Sequence, residues 1–136
     1  MLMLLNEFMT TRIEFVDANG SVYDAIEKMV DKRIRSLVVK LPGKALGYGM
    51  ITARDIVFKV LAKGIDPNVI KVLEIVSKPI KCIDLNMNIE DVSALMKESN
   101  ISKLFVREGE KLIGVISLLD VMTASLIKRA RGNHVS

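Results

Sequence analysis

Two tetrads in this chain carry residues whose spacing could do chemistry. Thr52-Ala53-Arg54-Asp55 and Ser117-Leu118-Leu119-Asp120 each place a hydroxyl three positions ahead of an aspartate. At the start of a helix, the hydroxyl and the free N–H groups of the first turn form an anion site that the helix dipole strengthens. The carboxylate points back over the same end and can accept two hydrogen bonds from vicinal hydroxyls, the pattern a ribose presents. The same spacing is also that of a capping box, in which both side chains only satisfy backbone donors. One tetrad alone reads most simply as a cap; two at matching places leave both readings open.

The matching places come from a duplication. Ile13 to Leu61 and Ile80 to Leu126 run in parallel, and each copy closes on glycine, two apolar residues and the tetrad: Gly49-Met50-Ile51-Thr52 and Gly114-Val115-Ile116-Ser117. Asp17/Asp84, Asn19/Asn86, Asp24/Asp91, Met29/Met96, Leu37/Leu104 and Val39/Val106 pair at an offset of 67 (84 minus 17). Gly49/Gly114, Asp55/Asp120 and Leu61/Leu126 pair at 65 (114 minus 49), so the first copy carries two extra residues between Lys40 and Gly49. Pro42 and Gly43 lie there, marking a turn, where length changes cost little.

The elements that must position the tetrads follow from periodicity. Val22, Ala25, Ile26, Met29 and Val30 recur at helical spacing behind Ser21, which with Asp24 offers a capping arrangement, so a helix is expected from Ser21 to about Lys32. The second copy repeats it, with Asn88 as cap and Ile89, Val92 and Met96 as the stripe. Leu37-Val38-Val39 and Leu104-Phe105-Val106 read as strands. A second strand follows in each copy, about Leu46 to Ile51 and Leu112 to Ile116, and leads into a helix with apolar pairs Ile56/Val57 and Val60/Leu61, or Val121/Met122 and Ser125/Leu126. With extended segments near Ile13 to Asp17 and Ile80 to Asp84, each copy is β-α-β-β-α. The expected fold class is α/β of the α+β kind: two three-stranded sheets backed by helices, meeting face to face with pseudo-two-fold symmetry. A unit of about 60 residues must bury its apolar sheet face, and the sister copy is the natural partner. The repeats are placed at 5–65 and 72–128, with a basic tail at 129–136, and the junctions should converge on a cleft between the halves.

Composition narrows the classes. The chain has 136 residues, 50% hydrophobic and only 4% aromatic, so its interior is aliphatic. The apolar run Met1 to Leu5 is too short to span a bilayer and lacks a signal peptide's features, which reads as cytoplasmic with no membrane partner. Cys82, the single cysteine, falls in a strand pattern and reads as core. A net charge of +4 admits anionic partners; the run Lys128, Arg129, Arg131 beside His134 reads first as a helix C-terminus and second as a nucleic-acid contact. The lone histidine, the lack of metal-ligand spacing, of a P-loop and of a nucleophile elbow, and the length used up by the repeats all point away from catalysis.

The whole pattern resembles the CBS domain, named for cystathionine β-synthase. Ile34-Arg35-Ser36-Leu37-Val38-Val39 through Asp55 carries the resemblance in the first copy, and Ile101-Ser102-Lys103-Leu104-Phe105-Val106 with Gly114 to Asp120 in the second. Leu5-Asn6-Glu7-Phe8-Met9-Thr10 and Val72-Leu73-Glu74-Ile75-Val76-Ser77 are similar to the short helix that precedes such repeats. The resemblance implies a tandem pair, or Bateman module, that binds AMP, ADP, ATP or S-adenosylmethionine as a regulatory ligand, needs no obligatory cofactor or metal, and forms a homodimer read by an unknown partner protein. It places the ribose-binding aspartates at Asp55 and Asp120 and their hydroxyl residues at Thr52 and Ser117. The adenine slots fall at Ile13 and Leu37 with Arg12 and Ser36, and at Ile80 and Leu104 with Pro79 and Lys103. Phosphate contacts from the opposite repeat fall on Ser102 and Lys103 for the first site and Arg35 for the second, with Arg54 able to neutralise a phosphate. Val38 and Phe105 stand where the family often has proline, and Phe105 is expected to crowd the second slot. The expected function is a stand-alone adenine-nucleotide sensor; a nucleic-acid-binding accessory protein and a purely structural dimerisation module are the alternatives.

Overall fold

A computed structural model describes residues 5–43, 47–77 and 80–133. Leu46, where the first copy's second strand was expected to begin, together with Pro79 and His134, lies outside the described residues. The chain divides into two compact units, one spanning Glu14–Ile80 and the other combining described residues 5–13 with 81–133.

In the first of these, β1 (Phe15–Asp17) pairs in parallel with β2 (Ser36–Lys40), which pairs antiparallel with β3 (Tyr48–Thr52). The parallel step needs a crossover, and α1 (Val22–Lys32) supplies it. Ser21 caps α1 in a capping box with Asp24, as the sequence pattern requires, and Arg33 ends it in the left-handed region at φ 55°. Val22, Ala25 and Met29 pack on Leu37, Val39 and Ile51 in one aliphatic core. Val30, expected in that stripe, is instead 69% exposed, because it lies one residue past the buried face. After β3 comes α2 (Ala53–Ile56), which widens into a π-helical turn over Val57–Leu61, and α3 (Val72–Ile75) closes the unit. Ile56 and Val60 are buried while Val57 and Leu61 are exposed, so only one residue of each expected apolar pair faces the core.

The second unit repeats the plan. β4 (Cys82–Asp84), β5 (Lys103–Glu108) and β6 (Lys111–Ser117) form its sheet, α4 (Ile89–Ser99) is the crossover capped by Asn88, and α5 (Leu118–Asn133) follows β6 directly. α5 carries no π turn and includes residues 129–133, which the sequence pattern assigned to a tail. On it Ala124 is fully buried and Val121 packs on the core, whereas Met122 and Leu126 are exposed and Ser125 faces solvent. No described helix is long and apolar enough to cross a membrane.

The lead-in segments change hands between the repeats. A short 3₁₀ turn, Leu5–Glu7, puts Leu5 fully inside the core built on α4, β5 and β6. Thr10 then bonds Val115 of β6 in both directions, at 2.8 and 2.9 Å. Ser77, after α3, makes the equivalent bridge to Met50 of β3 at 2.8 and 2.9 Å. Each sheet is thus closed by the segment that in sequence leads into the other repeat. Gly114 shows why its motif opens with glycine: a Cβ there would lie 2.5 Å from Met9 Sδ and 3.0 Å from the Thr10 carbonyl oxygen.

Candidate functional site

The hairpins bring each tetrad to the start of the preceding strand. Ser36 lies opposite Thr52 in the β2–β3 register, and Lys103 opposite Ser117 in β5–β6. The first helical amide, Ala53 N–H or Leu118 N–H, donates to the carbonyl of Arg35 (2.9 Å) or Ser102 (3.2 Å). Arg35 and Ser36 therefore adjoin Thr52 and Asp55, and Ser102 and Lys103 adjoin Ser117 and Asp120, each set within its own unit.

Both tetrads are closed capping boxes. Asp55 N–H donates to Thr52 Oγ1 at 3.0 Å and Thr52 N–H to Asp55 Oδ2 at 3.2 Å. Asp120 N–H donates to Ser117 Oγ at 3.3 Å, while Ser117 N–H and its hydroxyl donate to Asp120 Oδ2 at 2.8 and 2.9 Å. With the Arg35 and Ser102 carbonyls, these bonds take up three of the four orphan donors of each first turn. The anion site expected from free amides is correspondingly reduced, and what remains to recognise a ligand is chiefly carboxylate.

The two carboxylates differ in surroundings. Asp55, with its side chain 15% exposed, also pairs through Oδ1 with Lys59 Nζ at 3.3 Å, and Ser77 Oγ lies 3.5 Å from its Oδ2. Lys59 Nζ reaches on to the Ile75 carbonyl at 3.4 Å. Sequence reasoning passed over Lys59 and Ser77, although an aspartate four residues before a lysine on a helix signals a pair. Asp120 has Ala124 at the matching position, and its Oδ1 has no partner among the described residues.

The remaining candidates fall as follows. Arg54 stacks its guanidinium 4.5 Å above the ring of the exposed Phe58, a cation–π contact that holds it at the junction. Arg12 is exposed and Ile13 half-buried, both on the segment that joins the second unit, while Ile80 donates to Tyr48 O at 3.1 Å within the first. Pro79 is outside the described residues. Leu37 and Leu104 are sealed in the two cores, so they can offer a ligand only backbone groups. Phe105 is buried against β4 and β6 neighbours Cys82 and Val115 in the register. Burial raises the Cys82 thiol above its ordinary value, and the nearby Arg107 charge opposes that only in part. Of the basic run, Lys128 pairs with Glu90 and Arg131 with Glu7 at 3.6 Å.

Comparison with known proteins agrees with this geometry. The CBS domain family matches the chain twice, over residues 5–62 and 72–127. The CBS domain-containing protein YhcV of Bacillus subtilis is 27% identical over 132 residues, covering 97% of this chain and 92% of its own length. The hexameric CBS-CP12 protein from bloom-forming cyanobacteria superimposes with a TM-score of 0.73 at 33% identity, over 90% of this chain and 67% of that one. Hypoxic Response Protein I, solved with two coordinated zinc ions, gives 0.73 at 26% identity, over 90% and 99%. Two β-α-β-β-α repeats, each ending a strand on a capped hydroxyl–aspartate pair and each matched by the same family, mean that the chain belongs to the CBS domain family as a tandem pair.

Proposed function

We propose that this CBS pair binds an adenosine-containing ligand, AMP, ADP, ATP or S-adenosylmethionine, at its strand-to-helix junctions and acts as a regulatory metabolite sensor. The observation that carries the reading is the repeated, part-buried hydroxyl–carboxylate pair, with an exposed basic residue on the neighbouring stretch of backbone, Arg35 in one repeat and Lys103 in the other, that has no ion-pair partner among the described residues. A carboxylate held in a fixed orientation suits a ribose diol, and an adjoining cation suits a phosphate. Ligand binding can bias the conformation of the pair by no more than its differential affinity for the states, and a partner protein that prefers one state would read it.

The proposal does not extend to catalysis. Nor are the zinc ions of Hypoxic Response Protein I carried over: no group of three or more His, Cys, Asp or Glu side chains comes together among the described residues. The nucleic-acid alternative loses support because two of its three tail cations, Lys128 and Arg131, already pair with acids. Self-association has support of its own. Leu118, Leu119, Met122 and Leu126 lie exposed on α5, and Val57, Phe58 and Leu61 on the equivalent helix, and apolar surface of this kind marks interfaces. We therefore assign the chain a homodimer; the hexameric state of CBS-CP12 is consistent with association through such surfaces.

Calorimetric titration with AMP, ATP and S-adenosylmethionine tests the ligand. Saturable heat with at least one of them in the wild type, lost in the Asp55→Asn/Asp120→Asn protein while circular dichroism shows that protein still folded, is the expected result. No heat with any of the three in the wild type would dismiss the reading.

A further inference from the structure

Pseudo-symmetry makes the two junctions equivalent in sequence pattern, yet the charges around them are not equivalent. On the first repeat, Asp55 is engaged through both oxygens: Oδ2 accepts from Thr52 N–H and Oδ1 faces Lys59 Nζ at 3.3 Å. Lys59 sits on the π-helical turn and also holds the Ile75 carbonyl, so one ammonium ties the aspartate to the last residue of α3. Ser77, two residues further along the same segment, approaches Asp55 Oδ2 at 3.5 Å, the outer limit of a hydrogen bond. On the second repeat neither of these side-chain contacts recurs among the described residues. The residue matching Lys59 is Ala124, fully buried and without a polar atom to offer. The residue matching Ser77 is Thr10, which keeps the backbone bridge to β6 but makes no side-chain bond to Asp120 among the described residues. Asp120 turns one oxygen to its own cap and leaves Oδ1 without a partner among the described residues, beside a helix that runs regularly from Leu118 to Asn133.

We infer that the two repeats are unequal: Asp120 is the carboxylate open to a ligand hydroxyl, whereas Asp55 is latched by Lys59 to the α3 segment, and Lys59 decides whether the first junction can bind. The inference rests on the adenosine-ligand reading and sharpens it. A diol approaching Asp55 competes at Oδ1 with an ammonium already in place, trading a charge-assisted contact for a neutral one. The same diol meets no competing side chain at Asp120 Oδ1 among the described residues. Filling of the first junction would in turn free the Ile75 carbonyl, so that ligand capture there is coupled to the segment joining the repeats. This ordering reverses the expectation that Phe105 makes the second site the poorer one.

The test is AMP titration of the intact protein by calorimetry, with stoichiometry as the readout. The wild type should take up one AMP per chain, Asp120→Asn should abolish that event, and Asp55→Asn should retain it. Lys59→Gln should add a second event that disappears in Lys59→Gln/Asp55→Asn, and Lys59→Arg should leave the stoichiometry at one; a merely structural lysine would change stability without adding a site. Equal filling of both sites in the wild type, or loss of binding in Asp55→Asn but not in Asp120→Asn, overturns the inference. No heat in any protein refutes the adenosine reading itself, and the latch is then judged without ligand. Amide exchange of Val76 and Ser77 should quicken about two- to fivefold in Lys59→Gln, the range expected for losing one exposed ion pair. Unchanged exchange would refute the latch as well.

Discussion

Gly114→Ala probes the least obvious feature of the fold, the capture of the N-terminal segment by the second repeat. An added Cβ would sit 2.5 Å from Met9 Sδ, 2.9 Å from Met9 Cγ and 3.0 Å from the Thr10 carbonyl oxygen. The thioether is flexible and can swing aside. The Thr10 carbonyl cannot, because Thr10 bonds Val115 in both directions and that bridge fixes the backbone separation. The substitution therefore either strains β6 or loosens the bridge, and overpacking of this kind costs about 1 to 3 kcal/mol. For a chain of this size that lowers Tm by roughly 3 to 10 °C. Thermal unfolding followed by circular dichroism measures it, with Met9→Ala and the double variant completing a cycle. Removing the Met9 side chain relieves the two shorter contacts, so Gly114→Ala should cost less in the Met9→Ala background, leaving only the carbonyl contact. An unchanged Tm, or the same cost in both backgrounds, would show that Met9 and Thr10 do not pack against Gly114.

Other expectations are more local. Met29→Ala and Met96→Ala should each destabilise by about 2 to 5 kcal/mol in chemical denaturation, because both side chains lie in the aliphatic cores; a loss below 1 kcal/mol at both would contradict their burial. Cys82 should react with iodoacetamide more slowly than free cysteine at neutral pH. Burial raises its pKa above that of a free thiol, so the thiolate fraction is small there and the rate should keep climbing at pH values where free cysteine has levelled off. The same sign requires folding stability to decline as pH rises from the unfolded thiol's pKa toward the folded one. Leu119→Glu, placed on the exposed apolar face of α5, should shift the protein toward monomer in light scattering with no loss of Tm; a mass unchanged at the dimer value would move the interface elsewhere.

Much of the architecture was legible before any coordinates, for a physical reason. The repeat fixed two copies of β-α-β-β-α, and alternation or helical spacing located α1, β2, α4 and β5 because each has an apolar face that a core must bury. The Ser21, Asn88 and Thr52 caps were readable because their hydrogen bonds span three residues. What escaped notice depends on contacts far apart in sequence. Leu5 and Thr10 belong to the second unit, but nothing local to them names Val115 as a partner; the only hint was Gly114, a glycine at a position that needs no unusual φ. Of the apolar pairs on α2 and α5, Val57, Leu61, Met122 and Leu126 face outward. Periodicity finds an apolar stripe but does not tell a core face from one left for another surface. At the site, Thr52, Asp55, Ser117 and Asp120 were found by their spacing. Lys59 is not marked by the motif both copies share, because the difference between the copies lies one turn beyond it.

The most direct measurement is a crystal structure of the protein grown with AMP. The account predicts ribose hydroxyls within about 3 Å of Asp120 Oδ1, with Lys59 still paired to Asp55. AMP seated on Asp55 while the second junction stays empty, or bound far from both aspartates, would contradict it.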